Sequence, residues 1–186
     1  VMAAAGGQMK HATMELGGKS PLVIFEDADL ENAVGGAMLA NFYSTGQVCS
    51  NGTRVYVQRK FHDRFVERLI QRTKAIRIGD PCHRENWLGP VINAHAAANY
   101  ARYMRELRAG GATLITAAGL LDAAEFARGH YVQPVLAEAP LTHPLWRHEM
   151  FLPILMLHRV RNRDEAMRLA NDTNLGLTAG LDGDPD

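Results

Sequence analysis

Hydrophobic and polar residues alternate along the chain with two different periods. Short runs rich in β-branched residues predict strands, and these runs span residues 21–25, 54–58, 113–116, 131–136 and 154–160. The longer segments between them place apolar residues three and four positions apart, as expected for one buried helix face. Two such faces consist of Leu30, Ala33, Val34, Ala37 and Met38, and of Phe61, Phe65, Leu69 and Ile76. The pattern therefore predicts strands that alternate with helices.

Candidate helix caps support this alternation. Asp27 or Asp29 is a candidate N-cap for the first helix, and Asn162 with Glu165 resembles a capping box that opens another. A further helix is predicted at residues 94–108. Because each crossover is long enough to hold a helix, we expect an α/β fold with a mostly parallel sheet flanked by helices. In such sheets the functional loops are expected at the carboxyl ends of the strands.

Length and composition limit the class of protein. A chain of 186 residues with 47% hydrophobic residues can form one globular unit with a core. Its 20 basic and 20 acidic residues balance without a basic stripe, which argues against nucleic acid and against a membrane surface as partners. No apolar run reaches the ~18 residues of a membrane span, the first residues lack a signal-peptide pattern, and two cysteines make no disulfide scaffold. We expect a cytoplasmic protein.

Two glycine-rich loops, residues 16–19 and 46–52, carry the candidate chemistry. Cys49 lies in a polar turn, where an accessible thiol is a nucleophile; the alternative is a buried structural cysteine. Glu15 precedes two glycines, which let another group approach the backbone closely. If it is partly buried, Glu15 can act as a base on water; the alternative is a surface carboxylate paired with Lys19.

Cys82 and His83 are adjacent in a proline turn. A single pair provides neither the four ligands of a zinc site nor a catalytic triad. The remaining histidines are scattered without ligand spacing, so no metal site is expected.

Two segments, MELGGKSP at residues 14–21 and FYSTGQVCSNGTR at residues 42–54, resemble the two signature segments of aldehyde dehydrogenases. Their order and the spacing of 34 residues between Glu15 and Cys49 (49 minus 15) also fit that family. Further similar stretches cover residues 78–81, 88–90, 149–153 and 171–177. The resemblance implies that residues 1–186 are the thiol-bearing catalytic domain segment of such an enzyme.

The resemblance implies a covalent mechanism. Cys49 would attack the aldehyde carbonyl, a hydride would pass to a nicotinamide cofactor, and Glu15 would activate water to hydrolyse the remaining thioester. The backbone N–H of Cys49 would help to hold the oxyanion. The family's second donor is an Asn that we expect upstream of Val1, so neither Asn41 nor Asn51 is assigned this role.

The cofactor implied is NAD, with NADP as the alternative. Glu149 would bind the hydroxyls of the nicotinamide-side ribose, and Phe151 would lie near the nicotinamide. Leu16 and Gly17 would line the cofactor face. Leu152 departs from the family, which usually has Gly there, and we expect it to crowd the cofactor or shift the loop if that position needs φ > 0.

Residues 40–54 are most similar to the betaine-aldehyde and trimethylaminobutyraldehyde branch, which implies an aldehyde substrate that carries a quaternary or primary amine. Tyr43 would line the aldehyde tunnel, where an aromatic face attracts a cationic head group. Gln47 would flank the nucleophile. Core packing at a helix end stays the alternative for Phe42 and Tyr43.

The chain opens in an Ala-rich run and closes on the polar residues 182–186, so we expect a piece of a longer protein. By resemblance, most of a dinucleotide-binding domain would precede it and an oligomerisation region would follow it. The full-length protein would be a homo-oligomer that acts on a small-molecule aldehyde, and the isolated segment would be inactive.

Two rival functions stay open. One is a CoA-acylating semialdehyde dehydrogenase, against which Glu15 argues because acyl transfer to CoA needs no base for water. The other is a non-catalytic relative or fragment that keeps the fold as a structural or assembly module, which Leu152 favours.

Overall fold

All five apolar runs contribute strands to the sheets of the computed structural model, which describes residues 1–184. The strands are β1 (Ser20–Ile24), β2 (Gly52–Gln58), β3 (Thr113–Leu114), β4 (Leu120–Leu121), β5 (Tyr131–Val132), β6 (Val135–Glu138), β7 (Ile154–Val160) and β8 (Gly180–Asp182). The helices are α1 (Met2–Gly6), α2 (Leu30–Phe42), α3 (Arg59–Lys74), α4 (Ala94–Ala109) and α5 (Arg163–Ala170). Three short 3₁₀ turns, at Tyr43–Gly46, Ala124–Phe126 and Pro144–Trp146, complete the elements of this part of the chain.

The main sheet has the strand order β3-β6-β7-β2-β1-β8, and β4 with β5 forms a separate two-stranded sheet. In the main sheet, β6 pairs with β7, β7 with β2, and β2 with β1, all in parallel, and β1 is also parallel to the edge strand β8. Only β3, at the other edge of this sheet, runs antiparallel to its neighbour β6. The predicted α/β fold with a mostly parallel sheet flanked by helices is confirmed.

Helices cover both faces of the sheet, because successive strand residues point to opposite sides. On one face, Leu22 and Ile24 of β1 belong to the same buried cluster as Val34 of α2 and side chains of α3. On the other face, Val23 belongs to a cluster that includes Leu107 of α4 and side chains of α5. The continuous apolar character of β1 therefore follows from burial on two sides.

The predicted caps are present with two refinements. Asp29, and not Asp27, caps α2. Asn162 caps α5 by accepting the N–H of Glu165 at 3.1 Å. The carboxylate of Glu165 bonds to the N–H of Arg161 at 2.8 Å instead of returning to Asn162, so the capping box is shifted by one residue.

Several element bounds differ from the prediction. The run 131–136 is divided into β5 and β6 because Pro134 has no N–H for a continuous ladder. Ile76 lies beyond the end of α3 at Lys74. The short strands β4 and β8 were not predicted, since two or three residues carry no periodic pattern. No helix among residues 1–184 is long and apolar enough to cross a membrane.

Candidate active site

The two glycine-rich loops lie at the same end of the parallel strands. Residues 15–19 lead into β1, residues 46–51 lead into β2, and residues 149–153 lead into β7. Because these three strands run parallel, their entering loops meet at the amino ends of the strands. The expectation of a site at the carboxyl ends is therefore wrong. That tendency applies to ligands held by helix N-termini after a strand, whereas these loops offer side chains and glycine backbone.

Gly17 and Gly18 form the contact between the three loops. The N–H of Gly18 donates to Oε1 of Glu149 at 3.2 Å. A Cβ on Gly17 would collide with the carboxylate of Glu149, and a Cβ on Gly18 would lie 3.0 Å from the carbonyl oxygen of Cys49. The pair of glycines thus lets a carboxylate and the thiol-bearing loop approach the same dipeptide.

Cys49 is half-buried in a turn that the N–H of Asn51 closes by donating to the carbonyl of Val48 at 3.1 Å. Within residues 1–184 no acceptor bonds to the N–H of Cys49, so this group is available to an oxyanion. Cys82, by contrast, is exposed, and its N–H donates to the carboxylate of Asp80.

The segment before Cys49 has three successive left-handed residues. Ser44, Thr45 and Gly46 have φ values of 53°, 57° and 78°. For residues other than glycine this conformation is strained and persists only where the surroundings fix it. Here the hydroxyl of Thr45 donates to the carbonyl of Gly89 at 3.2 Å, and Gly46 packs directly against the backbone of Leu152.

Gln47 fastens this loop, and Tyr43 faces solvent. The side-chain amide of Gln47 donates to the carbonyl of Ser44 at 3.2 Å, and its oxygen accepts the N–H of Ile92 at 2.8 Å. Tyr43 is 63% exposed, whereas Phe42 beside it is fully buried in the core. The exposed ring of Tyr43 is therefore the one free to meet a ligand.

Glu15 and Leu16 lie on the surface. Both are exposed, so of the two alternatives for Glu15 the structure shows a surface carboxylate and not a partly buried one. Residues 11–19 run as irregular chain into β1 and become buried only at Gly18. Lys19 is buried, and no ion pair joins it to Glu15 among the described residues. Glu15 has the access to water that a base for hydrolysis needs.

In the segment at Glu149, Glu149 and Phe151 are partly or fully accessible to solvent, whereas Met150 and Leu152 are buried. Glu149 is half-buried, and Phe151 is 44% exposed with a φ of 56°. Leu152 packs into the hydrophobic core, where it is 1% exposed. The positive φ considered for residue 152 thus lies one residue earlier, and the core accommodates the branched side chain of Leu152.

Sequence reasoning missed the role of Arg54, although a cation in an apolar strand is an unusual signal. Its guanidinium is 1% exposed and donates to the carbonyls of Lys19 at 2.7 Å, Leu169 at 3.1 Å and Ala170 at 2.8 Å. The last two carbonyls belong to the end of α5, where the helix dipole favours a positive charge. Arg54, in β2, thereby connects the loop of residues 15–19 with the end of α5.

Lys19 is the second buried cation, and it was considered only as a surface partner of Glu15. It is 2% exposed, and its Nζ has no hydrogen-bond partner within the described chain. The pKa of Lys19 is lowered from 10.5 to about 7, mainly by burial and also by the neighbouring charge of Arg54, while the charge of Glu149 acts in the opposite direction. An ammonium ion in this position is therefore poorly stabilised.

A fourth segment holds the nucleophile loop through hydroxyl groups. Thr178 donates to the carbonyl of Ser50 at 3.0 Å and shares a 2.8 Å hydrogen bond with the hydroxyl of Ser20. Ser20 begins β1, and Ser50 follows Cys49 directly. Thr178 therefore connects the loop of the predicted base with the loop of the predicted nucleophile.

Comparisons with known proteins identify the family of this chain. The family model for the aldehyde dehydrogenase family matches residues 1–185. A betaine aldehyde dehydrogenase from Brucella ovis is 48% identical over 182 residues, which is 97% of this chain and 37% of that protein. The chain thus spans little more than a third of the length of the curated relatives it matches.

Solved structures share the fold. A betaine aldehyde dehydrogenase from Staphylococcus aureus in complex with NAD+ has a TM-score of 0.90 at 32% identity, over 98% of this chain and 36% of its own. The NAD+ complex of an aldehyde dehydrogenase from Bacillus cereus has a TM-score of 0.87 at 31% identity, over 97% of this chain and 36% of its own. The sequence resemblance is confirmed, and the chain belongs to the aldehyde dehydrogenase family.

Proposed function

We propose that this chain is the catalytic segment of an enzyme that oxidises an aldehyde to the carboxylic acid with NAD as cofactor. The observation that carries the proposal is the contact of Gly17 and Gly18 with Glu149 on one side and with the Cys49 loop on the other. This contact joins a nucleophile, its free N–H and a half-buried carboxylate. A relative named as a betaine aldehyde dehydrogenase and solved structures of aldehyde dehydrogenases in complex with NAD+ support it.

The residues present fit a dinucleotide cofactor. Glu149 uses one oxygen for the N–H of Gly18 and keeps acceptor capacity for ribose hydroxyls. The exposed ring of Phe151 can lie against a flat heterocycle, and Leu16 with Gly17 borders the same surface. When bound, NAD supplies the acceptor for a hydride.

The chain's own residues perform the remaining chemistry. The thiolate of Cys49 adds to the aldehyde carbonyl carbon, and its backbone N–H stabilises the oxygen that becomes negative. Loss of a hydride from that carbon restores the C=O bond as a thioester. Glu15 then takes a proton from water, which adds to the thioester and expels the thiolate of Cys49 as the acid leaves.

A cationic aldehyde such as betaine aldehyde is the substrate class we propose. The relatives from Brucella ovis and Staphylococcus aureus carry that name. The 63% exposed ring of Tyr43 lies at the start of the strained turn before Cys49, and an aromatic face attracts a quaternary ammonium group. Gln47 holds the turn in place. We further propose that the whole protein is a cytoplasmic homo-oligomer and that the 186-residue chain alone shows no NAD-dependent turnover.

The first test compares the two thiols. We expect iodoacetamide near neutral pH to alkylate Cys49 several-fold faster than Cys82 in the folded chain, because the proposed role of Cys49 as nucleophile requires a reactive thiol. Exposure alone favours the opposite order, since Cys82 is exposed and Cys49 is half-buried. Mass spectrometry of both peptides gives the two rates, and the urea-unfolded chain gives the intrinsic rates as a control. Protection of Cys49 with labelling of Cys82 would favour the alternative that the chain is a non-catalytic relative or fragment that keeps the fold.

The second test concerns Glu15. An activated ester such as p-nitrophenyl acetate should acylate Cys49, and Glu15→Gln should lengthen the life of the acyl group by roughly 10²-fold because water loses its base. Mass spectrometry of the Cys49 peptide over time measures this lifetime, and Glu125→Gln is the control at a carboxylate far along the chain. An unchanged lifetime of the acyl group in Glu15→Gln would show that Glu15 is not the base for hydrolysis, and it would favour the CoA-acylating alternative.

A further inference from the structure

Thr178 lies at the amino ends of the parallel strands, where the candidate active site is also located. It comes two positions before Gly180, the first residue of the edge strand β8 (180 minus 178). In the parallel pair of β8 with β1, Gly180 lies opposite Leu22. Continuing this register by two residues places Thr178 level with Ser20. The segment before β8 is therefore a fourth loop that enters the sheet at this end.

Gly18 lets this fourth loop approach the loop of the nucleophile. A Cβ on Gly18 would lie 3.0 Å from the carbonyl oxygen of Cys49 and 3.1 Å from the Cβ of Leu177. Both distances are shorter than ordinary van der Waals contacts. Gly18 thus lies between the two loops, and its lack of a side chain allows residues 177–178 to come close to the turn at Cys49.

The hydroxyl group of Thr178 donates to the nucleophile loop. Its single proton goes to the carbonyl oxygen of Ser50 at 3.0 Å, because a carbonyl cannot donate. In the 2.8 Å hydrogen bond between Thr178 and Ser20, the hydroxyl of Ser20 is therefore the donor. Ser20 is 3% exposed at the start of β1. A buried hydroxyl group thus orients Thr178 towards Ser50.

The turn that contains Cys49 is held through two neighbouring carbonyls. The carbonyl of Cys49 packs against Gly18. The carbonyl of Ser50 accepts the hydroxyl of Thr178. The common turn types I and II differ mainly by a rotation of the central peptide group, so contacts of the turn with its surroundings decide how its peptide planes lie. The free N–H of Cys49 belongs to the same turn, and its direction depends on these contacts.

We propose that Thr178 is a positioning residue for the oxyanion donor. Through Ser50 it orients the turn so that the N–H of Cys49 points at the carbonyl oxygen of the substrate while Sγ attacks the carbonyl carbon. Thr178 acts through the turn and takes no part in the bond changes. The inference rests on the proposed function, because it needs Cys49 as the nucleophile.

The test compares two reactions of the same thiol in the 186-residue chain. In acylation by p-nitrophenyl acetate, Sγ of Cys49 bonds to the acetyl carbon, a tetrahedral oxyanion forms, and p-nitrophenolate leaves. In alkylation by iodoacetamide, Sγ displaces iodide directly and no oxyanion forms. An error in the direction of the Cys49 N–H therefore slows acylation selectively, whereas a change in the exposure or the ionisation of the thiol changes both rates.

Thr178→Val removes the hydroxyl at an exposed position. We expect the rate constant for acylation of Cys49 to fall about fivefold, which corresponds to the ~1 kcal/mol of one hydrogen bond, and alkylation to change by less than about twofold. Thr178→Ser keeps the hydroxyl and should restore acylation. Mass spectrometry of the Cys49 peptide over time gives both rates. Thr113→Val is the control, since Thr113 is an exposed threonine in β3 at the opposite edge of the sheet, and it should leave both rates unchanged.

An acylation rate of Thr178→Val equal to that of the unaltered chain would overturn the inference. An equal loss of both reactions would also overturn it, because Thr178 would then only maintain the structure. Ser20→Ala removes the donor that orients Thr178 and should cause a smaller loss of the same selective kind. It decides the question if Thr178→Val does not fold, and an unchanged ratio of the two rates would then count against the inference. A lack of acylation of Cys49 in the unaltered chain would overturn the proposed function itself, and this inference with it.

Discussion

Lys19→Met will stabilise the folded chain, and the gain will shrink as the pH rises. The pKa of Lys19 is about 7 in the folded protein and 10.5 by ordinary values for an unfolded chain. Between these values the unfolded chain binds more protons, so stability of the unaltered protein rises with pH. Below pH 7 the full penalty of at most ~5 kcal/mol is present, and above about pH 10.5 it has disappeared.

Urea unfolding at about pH 6 and about pH 9.5 measures this effect. The free energy of unfolding of Lys19→Met should exceed that of the unaltered chain by several kcal/mol at the lower pH and by much less at the higher one. Met keeps most of the apolar volume of the Lys19 stem, so little packing is lost. Lys60→Met, at a surface ion pair, should change stability by less than about 1 kcal/mol at both pH values. A less stable Lys19→Met chain, or a gain that does not depend on pH, would contradict the expectation.

The features of this protein that the sequence predicts are those that depend on local patterns of residues. Apolar runs located all the strands except the short β4 and β8, and the cap at Asn162 located the start of α5. The two glycine-rich loops pointed to Cys49 and Glu15, whose loops meet at Gly17 and Gly18. Such features depend on residues that are close in sequence or repeat with a fixed period.

The remaining part depends on contacts between distant segments. Lys19 is separated by 35 positions from Arg54, whose guanidinium binds its carbonyl, and the end of α5 follows more than 110 positions after Arg54. Nothing local in GGKSP indicates that this lysine is buried. The strand end at which the loops meet likewise follows from the parallel pairing of β1, β2 and β7, which no single segment encodes.

The left-handed turn before Cys49 combines both kinds of information. The sequence indicated Gly46 only as part of a glycine-rich loop, whereas the structure shows that glycine is required there for steric reasons. Its φ is 78°, and an added Cβ would collide with the carbonyl carbon of Leu152 and the nitrogen of Pro153. Backbone atoms cannot rotate away as a side chain end can, so the loops must separate to admit a methyl group.

Gly46→Ala should therefore destabilise the chain by ~4 kcal/mol or more, because a positive φ and a collision with backbone add together. Urea unfolding by circular dichroism measures this loss. Gly36→Ala is the matched control: Gly36 is an exposed position in α2 with no atom within 4 Å of an added Cβ, and it should gain ~1 kcal/mol.

Gly46→Ala also tests whether the strained turn is needed for the reactivity of the Cys49 thiol. If the loops separate, the faster alkylation expected for Cys49 over Cys82 should disappear in Gly46→Ala under conditions where most of the chain is still folded, while Gly36→Ala keeps it. A Gly46→Ala chain that unfolds like the unaltered protein would mean that residues 149–153 move aside at little cost. The contact between Gly46 and Leu152 would then not be what fixes the position of Cys49.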